Sequence, residues 1–67
     1  MVFQITNCET NETLAYHDAL SLRSCVFNIT NDLNTANDVM EWANNPVNGG
    51  IRYDGEKFFI MLYNYGD

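Results

Sequence analysis

The chain has 67 residues, 46% of them hydrophobic and 13% aromatic, enough for one domain spanning 1–67 but not for a second core or a multidomain enzyme. Nine acidic side chains stand against three basic ones, for a net charge of −6. That balance excludes direct nucleic-acid binding, since three cations cannot line a phosphate groove, and it disfavours anionic lipid surfaces; no apolar run is long enough to span a membrane.

In chain order, Val2 to Thr6 alternates, and predicts a strand with Phe3 and Ile5 inward. Asn7 to Asn11 is polar and turn-like, and Thr13 to His17 returns as a second strand through Leu14 and Tyr16. Leu20 to Thr30 is mixed. Cys25-Val26-Phe27-Asn28-Ile29-Thr30 is rich in strand formers and predicts a strand from Cys25 onward. Asp18 to Ser24 stays open, because Ala19, Leu22 and Val26 also share a helical face.

The clearest helix comes next. Thr35 is suited to cap it, with Asp38 three residues on to close a capping box. Ala36, Val39, Met40 and Ala43 form its apolar stripe, Trp42 lies at the stripe's edge, and Pro46 ends it. A loop with Asn48-Gly49-Gly50 leads to a hairpin: Ile51-Arg52-Tyr53, a turn at Asp54-Gly55 of the two-residue type I′ kind, then Glu56 to Tyr63. The outgoing strand is apolar on both sides, Phe58, Ile60 and Leu62 on one and Phe59, Met61 and Tyr63 on the other. Such a strand lies between two layers or turns one face to a partner. The expected fold is α+β, a small antiparallel sheet of four to five strands with one clear helix packed on one face.

The residues offer little for catalysis. His17 is the lone histidine, and on an extended segment its neighbour Asp18 points the other way, so a Cys–His–Asp relay is not expected. Cys8, His17 and Cys25 lack the close spacing of zinc ligands, there is no calcium loop, and Asn48-Gly49-Gly50 has no phosphate-loop lysine. No metal, no cofactor and no enzymatic activity are expected. The N-terminus lacks the basic and apolar run of a signal peptide and the cysteines are sparse, so the expected compartment is cytoplasmic, with both thiols reduced.

Charge and aromatic residues point to binding instead. Asparagine is abundant while Lys57 is the only lysine, as if positive surface charge were disfavoured. Asp32, Asp38 and Glu41 lie on or beside the helix, Asp54 and Glu56 at the hairpin tip, and Tyr53, Tyr63 and Tyr65 supply rings with a polar end. Together these residues form a candidate surface for a protein partner with a basic face. In size, charge and lack of catalytic motifs the chain is similar in kind, not in motif, to bacteriophage accessory inhibitors such as anti-CRISPR and other anti-defence proteins. The alternative is a self-associating module, a homodimer formed through the outer face of the last strand.

Overall fold

Apolar residues two apart at the N-terminus form one strand of a hairpin, and the same spacing recurs at the C-terminal end of the chain. The structure, a computed structural model, describes residues 2–45 and 51–63. Its elements are β1 (Val2–Asn7), β2 (Glu12–Tyr16), α1 (Ala19–Thr30), α2 (Leu33–Asn44), β3 (Arg52–Asp54) and β4 (Phe58–Tyr63). The fold is α+β: four antiparallel strands in one sheet, ordered β2-β1-β4-β3, with two helices.

The register sorts side chains between the faces. Phe3 pairs with Leu62 and Tyr16, and Ile5 with Ile60 and Leu14, so these residues share the face beneath the helices. Gln4 with Met61 and Thr6 with Phe59 lie on the other face, which no described element covers. The core is formed by Phe3, Ile5, Phe58, Ile60 and Leu62 from the sheet, Leu22, Cys25 and Val26 from α1, and Ala36, Val39, Trp42 and Ala43 from α2. Phe3 meets Trp42 edge-on at 6.0 Å, and Trp42 meets Tyr53 at 5.7 Å.

Three expectations need correction. The strand expected from Cys25 is the second half of α1. Asp18 starts that helix by accepting bonds from the Ser21 N–H (2.7 Å) and hydroxyl (3.0 Å). Leu22, Cys25 and Val26 then fall on its buried face. The strand preference of Val26 and Ile29 gives way to packing, as weak local propensity does. Since β2 and β3 are opposite edges of the sheet, the chain between them must cross its full width, and a pair of helices crosses while covering the apolar face. The sheet therefore carries two helices, not one.

The cap of α2 is Asp32 rather than Thr35. Asp32 Oδ1 accepts from the Asn34 N–H at 3.0 Å and Oδ2 from the Thr35 hydroxyl at 2.9 Å. Asn31 ends α1 in the left-handed region (φ 55°), its N–H bonded to the Phe27 carbonyl at 2.7 Å, and so allows an abrupt turn between the helices. Pro46 and the Asn48-Gly49-Gly50 loop lie outside the described residues.

The β3–β4 turn also differs. Asp54 pairs with Phe59, and the Gly55 N–H bonds to the Phe58 carbonyl at 2.9 Å, which leaves Glu56-Lys57 as the loop. Among non-glycine described residues only Asn11 and Asn31 have positive φ, so the Glu56-Lys57 loop is not of the type I′ kind. Gly55 serves a different end: a methyl added there would lie closer than 3.0 Å to three ring carbons of Phe58. The glycine makes room for a core aromatic.

Candidate functional site

The acidic candidates divide among several places. Asp38 and Glu41 are exposed, three residues apart on the side of α2 opposite Ala36, Val39 and Ala43. Asp32 lies at the head of the same helix, both carboxylate oxygens engaged in capping, and those bonds, the Thr35 hydroxyl first, hold its pKa below the ordinary carboxylate value. Asp54 is on the uncovered face of the sheet, where Arg52 Nε donates to its Oδ1 at 2.7 Å. Glu56 is exposed in the hairpin loop.

The tyrosines divide likewise. Tyr53 is half-buried on the helix side, nearly parallel to the Phe58 ring at 6.0 Å. Burial, aided by the negative charge of Asp38, raises its hydroxyl pKa. Tyr63 is half-buried on the uncovered face opposite Val2. Tyr65 lies outside the described residues. The charge of Asp38 thus reaches Tyr53 on the helix side, while Asp54 and Tyr63 lie on the far side of the sheet.

That far side holds the outer residues of the doubly apolar strand. Phe59, Met61 and Tyr63 are half-buried there. The Arg52 guanidinium sits 4.6 Å from the Phe59 ring centroid and 3.9 Å from the Met61 sulfur, so its planar head lies over apolar surface while Asp54 neutralises its charge.

A groove that sequence patterning did not single out lies between β2 and the second half of α1. Its volume is about 300 Å³, and Ile5, Leu14, Cys25 and Ile29 contribute apolar surface, with Glu9 and Glu12 among its polar residues. The Tyr16 hydroxyl, also in its wall, has a raised pKa through a hydrogen bond with Cys25, then burial and the charge of Glu12. The signal available in the sequence was Leu14, whose register places it on the helix side although it remains 41% exposed. The groove exists only because α1 is a helix; a strand over Cys25–Thr30 would not form it.

Cys8 is exposed and Cys25 buried, both as free thiols. No group of three metal-ligating side chains gathers among the described residues, and no helix among them is long and apolar enough to cross a membrane. Comparison with protein-family models, with curated proteins and with solved structures finds no match to this chain.

Proposed function

We propose that this chain is a cytoplasmic, non-enzymatic binding protein that occupies a basic surface on a nucleic-acid-handling protein, in the manner of phage-type accessory inhibitors. The observation that carries this reading is the state of its three cations. Arg52 pairs with Asp54 at 2.7 Å, Lys57 approaches Glu9 at 3.7 Å, and Arg23 Nε donates to Asn37 Oδ1 at 2.8 Å. Each is occupied by a neighbouring side chain, while Asp38, Glu41 and Glu56 remain exposed. Two of the three positive charges face a carboxylate and Arg23 keeps its charge beside a neutral amide, so the excess of nine acids over three bases leaves the field presented to a partner negative, which speeds encounter with a basic face and fixes orientation on it. Carboxylates on a capped helix are held at set spacing, as groups that imitate phosphates to arginine and lysine must be.

Capture from nuclease-treated bacterial lysate tests the reading. A nucleic-acid-processing protein should be retained at low salt and released as salt rises, and the double variant Asp38→Lys/Glu41→Lys should slow its association about tenfold. Capture with unchanged rate and no salt dependence would overturn the electrostatic role.

One observation favours a second reading. The apolar residues Phe59, Met61 and Tyr63 share a face whose described charges, Arg52 and Asp54, cancel, and two copies could meet there about a twofold axis. Sedimentation that shows a monomer at millimolar concentration would remove it.

A further inference from the structure

Edge strands are usually protected. Along an edge, alternate N–H and C=O groups point away from the sheet, and natural proteins blunt such edges with lysine, proline, bulges or short length. The β3 edge follows that pattern, with three residues crossed by the Arg52–Asp54 pair. The β2 edge does not. Glu12-Thr13-Leu14-Ala15-Tyr16 contains no lysine, proline or glycine, and pairs with β1 in unbroken register, so no bulge turns it away.

The groove lies on the helix side of this unprotected edge. Leu14 and Ile29 give it apolar surface, Glu9 and Glu12 give it negative charge, and no lysine or arginine lines it. Lys57 reaches Glu9 at 3.7 Å with both side chains more than half exposed, a weak contact that another cation can displace.

We propose that an extended basic segment of a protein partner adds to β2 as a fifth strand. Its helix-side residues lie over the groove, with the stems of lysine or arginine on Leu14 and Ile29 and their charged heads at Glu9 and Glu12. Charge complementarity selects this occupant over a second copy, because antiparallel pairing of two β2 strands would bring another Glu12 to an already acidic rim. The inference rests on the proposed basic partner and names where on this chain part of it binds.

The test titrates the isotopically labelled full chain with two synthetic heptapeptides, one alternating lysine and valine and the other alternating glutamate and valine, followed by amide chemical shifts. The lysine peptide should shift and protect amides in residues 12–16 and at Ile29, and the glutamate peptide should do neither. Glu12→Lys, an exposed substitution, should weaken the lysine peptide about tenfold, and Leu14→Asp should weaken it with the charge at Glu12 kept. Shifts confined to the neighbourhood of Asp38 and Glu41 would overturn docking at β2 and leave the basic-partner reading standing. Absence of shifts at β2 with either peptide would overturn it as well. Lysate capture by Glu12→Lys beside Asp38→Lys/Glu41→Lys then separates the two ideas: loss of capture in the first supports the groove, and loss in the second alone overturns it.

Discussion

Along β4 the two faces of the sheet are satisfied differently. Phe58, Ile60 and Leu62 pack beneath both helices, Phe58 at 1% and Ile60 at 0% exposure, whereas Phe59, Met61 and Tyr63 are half-covered by neighbours within the sheet itself. On the helix side the partners are rigid and the contacts dense, so each side chain has one place to lie. On the other side, among the described residues, the Arg52 guanidinium fixed by Asp54 lies over the Phe59 ring. A strand that is apolar on both sides therefore does not require two layers of helices; a flat cation on a neighbouring strand can shield part of the second face.

Two adjacent phenylalanines separate the faces most directly. Phe58→Ala should destabilise the protein by about 3–5 kcal/mol, a cost expected for a fully buried ring, and Phe59→Ala by about 1 kcal/mol, consistent with half the area leaving water. Denaturant unfolding of the pair measures the difference, and equal losses would show the outer face to be as tightly packed as the inner. Gly55→Ala comes next, at about 1–3 kcal/mol, because the added methyl meets the Phe58 ring and that ring is held against Tyr53. A smaller effect is expected from Arg52→Ala, about 0.5–1 kcal/mol from the lost contact with Phe59; greater dye binding by exposed apolar surface would accompany it.

The smallest effect concerns pH and the helix layer alone. Asp18 and Asp32 have carboxyl pKa values lowered by cap bonds, from Ser21 and Thr35 first. With the native values below the unfolded ones, the unfolded chain takes up protons first as pH falls. The stabilising contribution is complete above the ordinary carboxylate range, near pH 4–5, and is lost as pH drops through the lowered native values. Asp18→Asn and Asp32→Asn keep a capping oxygen and should flatten this part of the stability profile, read as the thermal midpoint against pH; an unchanged slope would deny the caps that role.

Much of the fold was legible in local pattern. The period-two spacing of Phe3 and Ile5 and of Phe58, Ile60 and Leu62 marks strands, and Ala36, Val39 and Ala43 mark the buried side of α2. The α1 segment was not legible in the same way. Its Cys25–Thr30 portion combines strand-forming side chains with helical spacing, and the deciding facts are an aspartate cap and the need to cross from one sheet edge to the other. The turn at Glu56-Lys57 is not legible locally, because Asp54-Gly55 carries a strong turn signal, whereas the glycine is required by a ring three residues later.

The candidate surface shows the same division. Composition alone supplied net charge, the scarcity of cations and the identities of Asp38, Glu41, Asp54 and Glu56. It could not show that Asp32 is occupied as a cap, that Asp54 is neutralised by Arg52, or that Tyr53 leans on the core. The α+β class, the strand faces and the sign of the net charge follow from local alternation and from composition alone. Which acids remain exposed and unpaired, which strand lies at an edge and where the groove lies depend on residues brought together from distant parts of the chain, and no local pattern carries them.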